Sequence, residues 1–90
     1  MEKYLPLGSV VLLKDGYKEI MIYGRLQTHA TTGKLYDYVA CLYPEGNISP
    51  EFTFMFNHEQ IREVLFVGYQ SEKEAEFSKE LHKIISQQQR

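Results

Sequence analysis

The sequence predicts a small α+β domain, namely a five-stranded, SH3-like bent antiparallel sheet or barrel with a C-terminal amphipathic helix. Short apolar runs separated by turn residues fill the first 70 positions, which is typical of β-strands. The apolar period then changes from two to between three and four, which indicates a helix. The 90 residues suffice for one domain, and a small barrel suits this length because closure removes exposed strand edges.

Strands 1 and 2 are predicted over residues 8–14 and 19–28. The apolar run 10–13 defines strand 1, and an Asp-Gly pair indicates the turn that ends it. Alternation along strand 2 predicts two faces. One face carries Ile20, Ile22, Gly24 and Leu26, and the other carries Met21, Tyr23, Arg25 and Gln27.

Strands 3 and 5 are predicted over residues 35–43 and 63–69, and each is apolar on both of its faces. A barrel interior covers only one face of a strand. The helix can cover part of the second face, and a partner can cover the rest. In the turn after strand 3, Gly46 or Asn47 is expected to take the positive-φ position.

Strand 4, residues 51–56, carries the clearest alternation in the chain, because Phe52, Phe54 and Phe56 fall on one face. A single helical turn is expected to follow it, with Asn57 as the N-cap. The predicted order is therefore four strands, one helical turn, a fifth strand and a helix.

The C-terminal helix is predicted over residues 72–87. Ser71 and Glu74 have the spacing of a capping box, in which each side chain binds the backbone N–H of the other residue. An apolar stripe on one side of the helix is expected to face the sheet. It consists of Phe77, Leu81, Ile84 and Ile85.

Composition and charge narrow the possible functions. The net charge of −2 argues against nucleic acid as a partner, because such binding depends on neutralising phosphates. The apolar runs are too short for a membrane span, and the N-terminal residues lack the apolar segment of a signal peptide. The single cysteine fits a reducing compartment. We therefore expect a cytoplasmic protein that binds neither membrane nor nucleic acid.

The residue pattern marks no catalytic, cofactor or metal site, and we expect none. Cys41 lies between apolar neighbours within strand 3, which favours packing over reactivity. A small thiol enzyme that uses Cys41 is kept as an alternative. His29, His58 and His82 show no ligand spacing for zinc.

A protein-binding surface is the functional feature that the sequence favours. Met21, Tyr23 and Arg25 belong to residue types that are enriched at interfaces, and they share one predicted face of strand 2. Tyr38 and Tyr43 of strand 3 complete the candidate set. The alternative is that this face simply carries the helix. An exposed edge strand also allows a homodimer across a two-fold axis.

Four linked motifs place the chain near a known family: LPLGSVVLL, YGRLQ, YDYVACLYPEGN and FNHEQIREVLFVGY. Over about residues 4 to 80 the chain resembles a Firmicute family described only as a domain of unknown function. The resemblance implies an association with type VII secretion loci, which also encode small WXG-like helical proteins and LXG-domain toxins. It supplies no catalytic residues.

The resemblance implies a non-catalytic, cytoplasmic protein–protein interaction module. Its expected role is that of an adaptor, chaperone or targeting accessory for a type VII effector. The expected partner is the secretion effector or a small helical WXG-like protein. A toxin immunity protein is the alternative role.

Overall fold

The computed structural model describes residues 4–88. Its five strands form one antiparallel sheet in the order β4-β3-β2-β1-β5. Within the described residues β4 and β5 form no ladder with each other, so the bent sheet stays open and the barrel form is not observed. The elements are β1 (Val10–Leu13), β2 (Ile20–Thr28), β3 (Leu35–Leu42), β4 (Phe54–Phe56), β5 (Ile61–Phe66) and α1 (Glu72–Gln88).

Two strands have a boundary that differs by three residues from the prediction: β5 starts two residues and ends three residues earlier, and β4 begins three residues later. Ser49 caps a single 3-10 turn by accepting a hydrogen bond from the N–H of Glu51 at 3.3 Å, and a proline follows it at the first helical position. Phe52 therefore lies in this turn and is exposed, whereas Phe56 is buried. The prediction that three phenylalanines share one strand face is wrong at Phe52.

The residues before β1 cross close to the chain that leaves β5. The backbone N–H of Gly68 donates to Ser9 Oγ at 3.0 Å, and that hydroxyl donates to the carbonyl of Pro6 at 2.7 Å. A Cβ on Gly68 would lie 2.0 Å from the carbonyl oxygen of Leu7. Only glycine permits this close approach, and β5 ends at Phe66, before the crossing.

The core lies on one side of the sheet and is rich in aromatic side chains. Tyr38 is at its centre, with its ring 6.0 Å from that of Tyr4 and 5.4 Å from that of Phe56. Its hydroxyl accepts a hydrogen bond from the N–H of Leu5 at 3.0 Å. Tyr38 is fully buried, so its prediction as a surface residue is wrong. The core residues are Tyr4, Val11, Ile20, Ile22, Tyr38, Ala40, Phe56 and Leu81.

The two faces of β2 change places halfway along the strand. A bulge at Tyr23 shifts the pairing of β2 with β3, and Gly24 then pairs with Val39. Leu26 adopts a positive φ of 50°, which also interrupts the alternation. As a result, Arg25 is buried, and its prediction as an exposed interface residue is wrong.

α1 begins as predicted but packs through fewer apolar residues than expected. Ser71 Oγ accepts a hydrogen bond from the N–H of Glu74 at 3.1 Å, which confirms the cap. The carboxylate of Glu74 pairs with an arginine of β2, so the capping box is not completed. Of the predicted stripe, Leu81 is fully buried, whereas Phe77 and Ile84 are exposed.

Candidate functional site

An open groove of about 550 Å³ lies on the face of the sheet opposite the core, and we call it the outer groove. Most of its lining side chains are apolar or aromatic, and its charged group is a carboxylate. The groove is lined by Gly8, Val10, Glu19, Met21, Tyr43, Leu65 and Phe66.

The strand register explains why the floor of the outer groove is apolar. Val10 pairs with Met21 on one side and with Phe66 on the other, so these three residues form a row across β2, β1 and β5. Val11, the next residue of β1, points into the core. Successive residues of a strand face opposite sides, so β1 supplies apolar side chains to both faces.

A bulge in β5 adds a second side chain to the groove. Val64 pairs with Val11 and Phe66 pairs with Val10, so Leu65 is the extra residue between them. A bulge re-aims side chains, and here Leu65 and Phe66 both line the groove. Without a bulge, the side chains of Leu65 and Phe66 would point to opposite faces of the sheet. The sequence pattern therefore did not indicate that both line one groove.

β5 is an edge strand, and no other strand within residues 4–88 pairs with its outer side. The four consecutive apolar residues Val64, Leu65, Phe66 and Val67 are between 41% and 62% exposed. Exposed apolar residues that occur singly are ordinary on protein surfaces, but a continuous row beside a groove marks a candidate interaction surface. The outer groove and this strand edge together form the candidate site.

Tyr43 and Glu19 both line the outer groove. The N–H of Tyr43 donates to the carbonyl oxygen of Glu19 at 3.0 Å, which ties the end of β3 to the residue before β2. Tyr43 is 47% exposed. Glu19 therefore places a negative charge beside an aromatic ring and an apolar floor.

The five predicted interface residues thus separate into two groups. Met21 and Tyr43 line the outer groove, and Tyr23 is exposed but does not line it. Arg25 and Tyr38 lie inside the molecule. The site that the structure brings together contains two of the predicted residues and adds Leu65 and Phe66 from the edge strand.

Arg25 forms a bidentate ion pair with Glu74 of α1. Its two terminal nitrogens lie 2.7 Å and 2.8 Å from the carboxylate oxygens, a geometry that fits the planar guanidinium. The side chain of Arg25 is 3% exposed and that of Glu74 is 17% exposed. The guanidinium also lies 5.4 Å from the centre of the Phe77 ring. This pair joins the helix to the sheet.

A second polar cluster fastens the turn before β5 to β3. The N–H of His58 donates to Asp37 at 2.9 Å, and the N–H of Asp37 donates to Asn57 Oδ1 at 3.1 Å. His58 Nδ1 and the hydroxyl of Tyr38 are joined by a hydrogen bond of 2.7 Å. Burial is the main cause that raises the pKa of Tyr38 to about 12. The cluster explains the FNHEQI motif as a folding element.

The other groups considered in the sequence are Cys41 and candidate metal ligands. Cys41 is 2% exposed and pairs with Met21 in the β2–β3 ladder, which confirms its prediction as a packing residue. Within residues 4–88, no three His, Cys, Asp or Glu side chains gather in a possible metal site. No helix in the same range is long and apolar enough to cross a membrane.

These features define a small α+β domain with an uncovered apolar groove beside an edge strand. The chain belongs to the family described as Domain of unknown function (DUF4176), whose model matches residues 4–77. The match spans all five strands and the first part of α1, and it confirms the expectation of a family described only as a domain of unknown function. Neither a curated protein nor a solved structure matches the chain.

Proposed function

We propose that this protein is a non-catalytic protein–protein interaction module that binds its partner through the outer groove and β5. The observation that carries the proposal is the row of exposed apolar residues from Val64 to Val67 beside the groove. Aromatic and methionine side chains, which are enriched at interfaces, surround the same site at Tyr43, Phe66 and Met21.

The chemistry of the groove indicates the kind of partner. Glu19 supplies the charge of the lining, so a matching partner presents Lys or Arg beside apolar side chains. The pairing of β5 with β1 is interrupted twice, at Leu65 and at Arg62. Such bulges disfavour the regular addition of another strand at an edge. We therefore favour a partner helix that inserts apolar side chains into the groove.

The finer proposal is a cytoplasmic adaptor, chaperone or targeting accessory of a type VII secretion effector. Its partner is the effector or a small helical WXG-like protein. The support for this assignment is the motif resemblance, because the geometry indicates only the kind of surface that binds. A homodimer would cover the same apolar row.

An immunity protein is the second candidate function. The carboxylate of Glu19 beside the apolar floor favours it, since a basic patch near a toxin's active site would complement this charge. The thiol-enzyme alternative is disfavoured, because a nucleophile must reach its substrate and Cys41 is buried.

Co-expression with the small helical proteins and LXG-domain toxins of the same locus tests the proposal. We expect one of them to co-elute with the native chain on size exclusion and to be lost from the Phe66→Ser variant. Phe52→Ser is the matched control, because Phe52 is also exposed but lies outside the groove. Equal co-elution with both variants would contradict the assigned surface.

Two further outcomes separate the alternatives. If no locus product co-elutes and light scattering shows a dimer that Phe66→Ser dissociates, the surface serves self-association and the adaptor proposal is wrong. If co-expression restores growth to cells that produce an LXG-domain toxin, the immunity function replaces the adaptor function. Growth that stays inhibited counts against immunity.

A further inference from the structure

The side of α1 that faces the sheet is unusually polar. Glu74, Ser78 and His82 are spaced four residues apart and therefore lie in one row along the helix. Ser78 is buried, Glu74 reaches Arg25, and the ring of His82 lies 5.3 Å from that of Tyr4. Helices in globular proteins usually turn an apolar stripe to the sheet, so this row requires an explanation.

Within residues 4–88, three buried polar atoms at this interface lack a hydrogen-bond partner. They are Nε of Arg25, Oγ of Ser78 and Nε2 of His82. A polar group that loses water without gaining a partner costs free energy, and most proteins avoid such groups. Three of them between one helix and one sheet weaken the docking of that helix.

The remaining contacts give only limited compensation. Leu81 is the one fully buried apolar residue that the described part of α1 adds to the core. The Arg25–Glu74 pair has good geometry, but a buried ion pair gains little overall because both charges lose water. The strands, by contrast, are joined by ladders of backbone hydrogen bonds.

We infer that α1 is a displaceable cover, which leaves the sheet as a unit while the five strands stay folded. Its departure uncovers Arg25, which pairs with Glu74, and the ring of Tyr4, which contacts His82. Tyr4 is held independently of the helix, because Leu5 is hydrogen-bonded to Tyr38. The exposed surface accepts a helix of defined chemistry: a carboxylate for Arg25 and a leucine seven residues later, as in Glu74 and Leu81 of α1 itself. This surface is opposite the outer groove, so the inference does not depend on the proposed function.

Hydrogen exchange on the full chain tests the release of α1. We expect the amides of α1 to exchange at least about 100-fold faster than those of β2 and β3, because local opening precedes global unfolding. The double variant Ser78→Ala/His82→Leu removes two unpartnered groups. It should slow exchange in α1 at least about tenfold and leave the strands unchanged. Equal protection of helix and strands, or no slowing in the variant, would overturn the inference.

A labelled peptide of residues 72–87 tests the acceptor surface on the full chain by fluorescence anisotropy. We expect the native chain to bind the peptide and the Ser78→Ala/His82→Leu chain to bind it less, because its own helix stays in place. A peptide with Glu74→Gln should bind at least about tenfold more weakly, since it cannot pair with Arg25. Absence of binding, or equal binding of both peptides, contradicts the acceptor surface.

The Phe66→Ser chain separates this inference from the proposed function. Phe66 lies in the outer groove, so its replacement should leave peptide binding unchanged. Peptide binding that is lost in this variant would show that the peptide occupies the outer groove, and the assignment to the inner face would be wrong.

Discussion

Each face of the sheet has one region that departs from the usual relation between polarity and burial. The inner face buries the charged Arg25 under a helix whose row of contacts is polar. The outer face leaves Phe66 and its apolar neighbours exposed beside a groove. Stability alone favours the opposite arrangement. Both regions lower stability, which favours a functional role for the helix interface and for the outer groove.

The largest loss of stability is expected where Gly68 crosses the residues before β1. The Cβ of Gly68→Ala would lie 2.0 Å from a backbone oxygen, which cannot move away without displacing the residues before β1. We expect a loss of more than about 4 kcal/mol in the free energy of unfolding, measured in urea. Gly33→Ala is the control. An alanine Cβ there would have no atom within 4 Å, so only the positive φ lowers stability, by about 1 kcal/mol.

A smaller but still large effect is expected from breaking the ion pair on the inner face. Glu74→Gln leaves the guanidinium of Arg25 buried without its counter-charge, and we expect a loss of about 2–4 kcal/mol in urea unfolding. Arg25→Met/Glu74→Leu should recover most of that loss, since no charge remains. Glu80→Gln, which affects an exposed pair with Lys83, should change stability by less than about 0.5 kcal/mol.

The third prediction concerns the pH dependence of the inner face. Burial raises the pKa of Tyr38 to about 12, above the value of about 10 in the unfolded chain. Between pH 10 and pH 12 the unfolded chain loses the Tyr38 proton more readily than the folded protein does. The stability that the buried neutral hydroxyl contributes is therefore complete below pH 10 and is lost as the pH rises toward 12. Native protein should therefore lose more stability than Tyr38→Phe over this interval in urea unfolding. Parallel curves for the two proteins would contradict this prediction.

The smallest change in stability is expected on the outer face. Phe66 is 62% exposed, so Phe66→Ser should change the free energy of unfolding by less than about 1 kcal/mol. Val11→Ala, at the adjacent position that faces the core, should cost about 1–3 kcal/mol. If Phe66→Ser lowers the thermal unfolding temperature more than Val11→Ala does, Phe66 is packed like a core residue and the outer groove is not an exposed surface.

The sequence predicted the number of strands and the helix because each element has a clear apolar period. The prediction of which face a side chain occupies was wrong where a bulge inserts one extra residue into a strand. The bulge at Tyr23 sends Arg25 inward, and the bulge at Leu65 turns that residue into the groove. Bulges depend on how two strands pair, and alternation within one strand does not reveal them.

The candidate site was predictable only in part for the same reason. Met21 and Tyr43 were recognised by residue type, whereas Phe66 was assigned only to an apolar strand. Glu74 was interpreted as part of a cap, which is its local role, but its carboxylate binds Arg25 far along the chain. A residue's neighbours in sequence indicate local hydrogen bonds, and they do not show a tertiary partner.

Val10 and Val11 are back to back on one short strand, with one side chain in the outer groove and the next in the core. Only the thickness of a single polypeptide backbone separates the two surfaces there. Ligands on opposite sides would be held close together without competing for room. If both proposed sites bind segments of one partner, capture of the first segment would raise the effective concentration of the second.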